Sequence, residues 1–262
     1  MTFIKVQNMK VWIKIFFLSM IILLASCTTP ASQVVPTATQ TRSLAPTLKP
    51  TKTAIPTVTS IPGFEDWSVF NAQAVDIRTE NGSLILTLKY RMLWFMNQRG
   101  VLVYQPVSGN FAITADVHAT KSSDRTQPPG GDGTVQLGGL MARNGNGGQE
   151  NYVFIVVGDD GNGLSVETKN TTESFSKYDG PTWDSSDAEL RLCRRGQTFN
   201  LYKRHVGTKE AWMLAESFDR PDLPDTLQVG ANIYTDSTPD LSVRFDHLRI
   251  EPITAEADCE QA

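Results

Sequence analysis

Glu256, Asp258 and Glu260 stand at alternate positions near the end of the chain. Glycoside hydrolysis needs two positioned carboxyl groups, and alternate residues of a strand project to one face. The setting argues against that chemistry here. The three carboxylates lie in the hydrophilic stretch TAEADCEQA, and Ala257 and Cys259 separate them where a buried strand would carry bulky apolar residues. They read as the composition of an acidic tail. His118, His205 and His247 are scattered, and the chain contains neither His-Glu-x-x-His nor Gly-x-Ser-x-Gly. Histidine-based zinc chemistry and a serine triad are therefore not signalled. The 3 cysteines are too few for a disulfide scaffold. Cys193 falls in a strand pattern, where a small buried side chain is the simple reading, although outside the cytoplasm it could pair with Cys259. Asp132, Asp159, Asp160 and Asp246 offer hard oxygen ligands, so Ca²⁺ is the one cofactor the sequence suggests. A tight turn is the better account of Asp159-Asp160, and a bulge of Asp246.

Aromatic residues outside regular alternation are the remaining chemistry. Sugar recognition uses flat rings against sugar faces and planar polar groups for the hydroxyls. Tyr90-Arg91-Met92-Leu93-Trp94-Phe95 is a bulky run between two strand patterns, and Trp183 follows Asp179-Gly180-Pro181 in a loop. Each is either an exposed recognition patch or folded-back core cover. Arg143 ends an apolar run and could meet Glu167 on the same sheet, as a ligand contact or as an ion pair. Tyr90, Trp94, Arg143 and Trp183 are thus the candidate carbohydrate-binding residues. Trp67 and Trp212 are expected to pack between sheets.

The elements that must hold these residues read as strands. Between 63 and 253 no stretch keeps a helical period. Leu84, Leu86 and Leu88 alternate after Asn81-Gly82, as do Phe111, Ile113, Ala115 and Val117. Tyr152–Val157 (YVFIVV) is apolar on both faces, which predicts a central strand, and Gly158–Gly163 predicts its hairpin. A phase change between Phe245 and Leu248 predicts a bulge. Roughly eleven to thirteen strands result, which suits an all-β sandwich of two antiparallel sheets. Long loops are expected at 120–134 and 144–150.

The ends differ from this core. The chain has 262 residues and a net charge of −4, yet all 28 acidic residues lie at or beyond Glu65, where only 18 of the 24 basic residues remain. A segment so acidic repels phosphate backbones, so nucleic acid is excluded as a partner. Lys5, Lys10 and Lys14 precede an apolar run that is short for a bilayer span. That run ends in Leu24-Ala25-Ser26-Cys27, which resembles a bacterial lipoprotein signal. The resemblance implies cleavage before Cys27, lipid on its sulfur, and attachment to the outer face of a bacterial cell membrane or to the outer membrane. Residues 28–62 hold ten threonines and six prolines without glycine, acid or aromatic, and predict a disordered tether. The expected organisation is a signal peptide at 1–26, lipidated Cys27 and tether at 27–62, a sandwich at 63–253, and a disordered acidic tail at 254–262.

Gly138-Gly139-Leu140-Met141-Ala142-Arg143, the hairpin Glu189-Leu190-Arg191-Leu192-Cys193-Arg194-Arg195-Gly196-Gln197-Thr198-Phe199, and Phe245-Asp246-His247-Leu248-Arg249-Ile250 occur in this order. The succession resembles the jelly-roll modules of the concanavalin A-like lectin/glucanase superfamily, found in bacterial surface proteins and appended to glycosidases. The stretch Tyr202–Gly207, with Trp212 after it, departs from the family pattern. The resemblance implies a non-catalytic, lectin-like module that binds a carbohydrate. A glycan-active enzyme and a protein-adhesion or scaffold domain on the same fold remain as alternatives.

Overall fold

The computed structural model describes residues 61–254 and 258–261. The segment expected to be a signal peptide, Cys27, the expected tether up to residue 60, and Glu256 lie outside these residues. The described chain is a sandwich of two antiparallel sheets, each seven-stranded. The first sheet runs β1 (Ser68–Phe70), β4 (Val101–Ser108), β13 (Thr226–Thr235), β6 (Val135–Arg143), β7 (Tyr152–Asp160), β8 (Leu164–Thr172) and β9 (Phe175–Asp179). The second runs β12 (Met213–Asp219), β11 (Thr198–Arg204), β10 (Asp187–Arg195), β5 (Phe111–Thr120), β14 (Ser242–Pro252), β3 (Ser83–Leu88) and β2 (Val75–Glu80).

Alternation explains the layering. Leu84, Leu86, Ile113, Val117, Leu190, Leu192, Val243 and Phe245 of the second sheet meet Val101, Val103, Leu140, Val153, Ile155, Val157, Val229 and Ile233 of the first in one buried core. Trp67 joins that core, as expected from sequence. The hairpin at Asn81-Gly82 places both residues at positive φ, 52° and 83°, the geometry that matches the strand twist in a two-residue turn. In β14 the register to β5 slips between Asp246 and Arg249, and His247 takes φ 54°. This is the bulge that the phase change announced.

β7 lies between β6 and β8 in the interior of its sheet. Its second apolar face has its own partners. Tyr152, Phe154 and Val156 pack with Leu102, Leu137, Met141, Tyr234 and Trp94 in a separate buried cluster on the outer face of the first sheet. The segment 89–100 straps across this face and closes the cluster.

Two expectations are corrected. Trp212 does not pack between the sheets. It packs against a small cluster of Ala112, Cys193, Tyr202, Ile253 and Cys259, with two guanidinium groups close to its ring, Arg204 at 4.2 Å and Arg191 at 4.4 Å from the centre. The end of the chain is not frayed throughout either. Asp258–Gln261 forms a helical turn, α1, and Cys259 is buried and bonded to Cys193. The Cys259 carbonyl accepts a hydrogen bond from Arg191 Nη1 at 3.0 Å.

Candidate functional site: a cleft beside the strap

The strap is held at several points. Thr235 N–H donates to Met92 O at 2.7 Å, Met96 N–H to Ser176 Oγ at 2.9 Å, and Lys169 Nζ to Trp94 O at 3.0 Å. Trp94 turns inward, 0% exposed, and its Nε1–H donates to Val101 O at 3.2 Å. Its indole lies so close to the backbone of Gly100 that a Cβ there would collide with the ring. Trp94 therefore presents no face to a ligand, which corrects its reading as a sugar platform and supports the core-cover alternative. Tyr90, at the start of the same run, is 58% exposed.

Arg143 is corrected in its partner. It makes a bidentate pair with Glu150, Nε–Oε2 2.7 Å and Nη2–Oε1 2.9 Å, and not with Glu167. Nη1 donates to Gln228 Oε1 at 2.7 Å, and the guanidinium lies 4.5 Å from the Phe70 ring centre. Arg99, on the strap, reaches Glu150 as well. Arg143 and Glu150 are both buried, so this trio anchors the strap from beneath. Trp183 is 8% exposed. It donates through Nε1 to Asp187 O at 3.0 Å and stacks on His205 with centres 4.4 Å apart, while Lys203 Nζ lies 4.7 Å from its ring. Its faces are thus taken by the protein, which corrects the second sugar-platform candidate.

What the fold does assemble is a cleft of about 170 Å³ at the edge of the strap. Phe95 and Leu93 of the strap, Tyr178 of β9, Tyr234 of β13, Glu167 and Lys169 of β8, Asp160 of β7, and Val135 and Asp236 line it. Register explains the convergence. Lys169 pairs with Tyr178 across β8 and β9, and Val135 pairs with Asp160 across β6 and β7. Tyr178 is 62% exposed and meets Phe95 edge-on, with ring centres 6.3 Å apart.

Lys169 forms the floor. It is buried, and its ammonium sits 4.8 Å from the Phe154 centre, 5.2 Å from Tyr178, 5.3 Å from Tyr234 and 5.5 Å from Phe95. Glu167 Oε1 lies 3.0 Å from Lys169 Nζ and accepts the Tyr234 hydroxyl at 2.9 Å. Burial pulls the Lys169 pKa below the usual lysine value, with Glu167 opposing the shift. Burial, reinforced by the Glu167 charge, holds the Tyr234 phenol well above its usual value, so it stays protonated and donates. The cation is thus committed to Glu167, to a carbonyl and to aromatic faces.

Most of these residues were not singled out by sequence reasoning. Phe95 belongs to the bulky run 90–95, Glu167 enters the sequence reading as a partner for Arg143, and Asp160 as a turn or calcium residue. Alternation in Ser165-Val166-Glu167-Thr168-Lys169 does place Glu167 and Lys169 on one face, a signal that could have found the pair.

The calcium candidates commit oxygens elsewhere. Asp132 Oδ1 accepts from Thr134, and Asp159 accepts from the N–H groups of Gly131 at 3.0 Å and Gly161 at 2.8 Å. Asp246 Oδ2 lies 3.2 Å from His118 Nε2 and 3.0 Å from Arg244. Among the described residues no group of three or more His, Cys, Asp or Glu is arranged to hold a metal ion.

No family model matches the chain, and no curated protein matches it. Solved structures do. A functionally unknown protein from Saccharomyces cerevisiae is 14% identical, with 73% of this chain and 99% of that chain covered and a TM-score of 0.58. The GH43 protein BlXynB from Bacillus licheniformis is 13% identical at TM-score 0.52, and the xylan beta-1,4-xylosidase from Bacillus halodurans C-125 is 15% identical at 0.54. The match covers 72% and 71% of this chain, but only 37% and 36% of those two. These likenesses establish the β-sandwich fold.

Proposed function

We propose that the protein is an extracytoplasmic bacterial lipoprotein, held to a membrane through Cys27, whose sandwich binds carbohydrate without catalysis at the cleft beside the strap. The observation that carries this reading is the cleft itself, which Phe95 and Tyr178 line together with Asp160 and Asp236. A ring face for a sugar face and planar acceptors for hydroxyls are what such a ligand requires. The presence of this fold within a xylosidase agrees with a glycan ligand.

Binding is favoured over hydrolysis by the contacts that Glu167 already makes. Hydrolysis needs one carboxylic acid able to give a proton and a second group to act as base or nucleophile. Glu167 Oε1 instead receives both the Lys169 ammonium and the Tyr234 hydroxyl, which commits that oxygen to the protein. Glu260 of the tail is exposed on α1, on a helical turn and not on a strand.

The test is a glycan array with the chain from residue 28 onward, followed by titration of each hit with the Tyr178→Ala variant. Tyr178 is largely exposed, so its removal should leave folding intact and raise the dissociation constant about tenfold or more, the effect of losing one stacking platform of ~1–2 kcal/mol. A hit whose affinity is the same in the variant places sugar binding elsewhere and refutes the assignment of this cleft.

A further inference from the structure

Resting on that reading, we infer that the glycan class is cationic: a chain of amino sugars carrying free amines. The argument starts from charge accounting inside the cleft. Lys169 is the sole cation among the residues lining it, and its ammonium faces the Glu167 carboxylate at 3.0 Å. Those two charges offset one another. Asp160 and Asp236 are left.

Each of these aspartates uses one oxygen to fix the backbone. Asp160 Oδ1 accepts Asn162 N–H at 2.8 Å, and Asp236 Oδ1 accepts Val135 N–H at 2.9 Å. Among the described residues, neither Oδ2 accepts a hydrogen bond. Val135 ties the two acids together, because it is the register partner of Asp160 and the donor to Asp236. Arg91 approaches from outside the lining, and its Nε binds the Asp236 backbone carbonyl, leaving the carboxylate unpaired.

Two anchored carboxylates with open oxygens, next to the rings of Phe95 and Tyr178, make a receptor for an ammonium group. An amine on a sugar would gain a charge-assisted hydrogen bond to the carboxylate, and its charge is also favoured over a ring face. A uronic acid or a sulfated sugar would meet the same two charges as repulsion. Lys169 cannot relieve that repulsion without giving up Glu167. The wider field has the same sign, since the segment from Glu65 onward carries 28 acidic against 18 basic residues. Such a field draws polycations and repels polyanions.

The experiment measures equilibrium binding of the chain from residue 28 onward to four hexasaccharides at pH 5.5: fully deacetylated chitosan, its fully N-acetylated counterpart, a neutral β-glucan and a polygalacturonate. The expected order places the deacetylated hexamer about tenfold or more ahead of the acetylated one, with the polygalacturonate last. The Asp160→Asn/Asp236→Asn variant keeps the acceptor oxygens for the backbone while removing both charges, and should bring the two chitin-derived hexamers to parity. Its unchanged thermal melt would show that it is folded. Equal binding of acetylated and deacetylated hexamers by the wild type overturns the amino-sugar inference and leaves carbohydrate binding standing. Binding of none of the four, together with an empty glycan array, overturns both. Deacetylated-hexamer binding that survives undiminished in both the double variant and Tyr178→Ala is adsorption to the acidic surface, and also overturns the inference.

Discussion

Removing the Cys193–Cys259 disulfide should destabilise the folded domain substantially. The bond links residues 66 apart in sequence. In the chain-entropy account, cross-linking a loop of that length withholds about 4 kcal/mol of conformational entropy from the unfolded state. The bond also keeps the Cys259 carbonyl over Arg191 Nη1, and Cys259 itself in a small apolar cluster with Tyr202 and Ile253. Arg191 retains its hydrogen bond to Thr114 Oγ1 and gains water when the tail leaves, so these contacts add only modestly. For a domain of this size each kcal/mol moves the melting temperature by roughly 2–4 °C, which predicts a fall of about 8–16 °C. The perturbation is Cys193→Ser together with Cys259→Ser in the chain from residue 28 onward, which lacks Cys27, so that no lone thiol remains. Far-UV circular dichroism melts of this variant, of the wild type, and of the wild type under reductant give the answer. The reduced wild type should match the double variant. A variant that melts within about 2 °C of the oxidised wild type, or a wild type with two titratable thiols when denatured without reductant, refutes the reasoning.

Three further outcomes follow from named contacts. Trp94→Ala removes a fully buried indole and leaves the Val101 carbonyl without its donor, so thermal melts should show a loss of about 3–5 kcal/mol; an unchanged melt would return Trp94 to the surface. The Glu210 hydrogen bond first and the Asp184 bond second raise the His205 pKa above its usual 6.5, so the contribution of this cluster is fully present below about pH 6.5 and lost as pH rises through the folded value. The same contact lowers the Glu210 pKa below 4.5, so its share is present above the unfolded value and lost on acidification. His205→Gln should therefore narrow the difference between urea midpoints at pH 5.5 and pH 8.5, and an identical difference in the variant would remove His205 from the account. Cys27→Ser should abolish labelling of the protein by radioactive palmitate in cells; labelling at the wild-type level would place the lipid elsewhere or remove it.

The parts of the fold legible in sequence are those that depend on one-residue alternation and local turns. Asn81-Gly82, the Gly158–Gly163 hairpin, the bulge after Phe245 and the central place of β7 all follow from neighbours within about ten residues. Arg143 shows where that reading stops. Its partner Glu150 is only seven residues on, yet it arrives by way of the loop 144–149, whose ends are joined by Asn144 N–H donating to Asn151 O. Alternation along strands cannot foresee a side chain delivered by a loop, and Glu167, two strands away on the same face, was the partner that alternation offered.

The tail and the strap fail for different reasons, and the difference bears on function. The acidic composition of residues 254–262 gives no packing signal, and a single disulfide overrides it. Composition measures the average tendency of a segment to bury surface; one covalent bond does not enter that average. The strap, by contrast, was decidable. YVFIVV is apolar on both faces, and only one face of a strand in a two-sheet sandwich meets the other sheet. The second face needed a cover, and Met92-Leu93-Trp94-Phe95 was the bulky segment outside any strand that could supply it. Joined in this way, the two observations assign Trp94 to the interior and bring Phe95 to the rim. The cleft is then a consequence of core packing: the strap that shields Tyr152 and Phe154 passes over Lys169, and beside it Phe95, Tyr178 and the two aspartates line one opening.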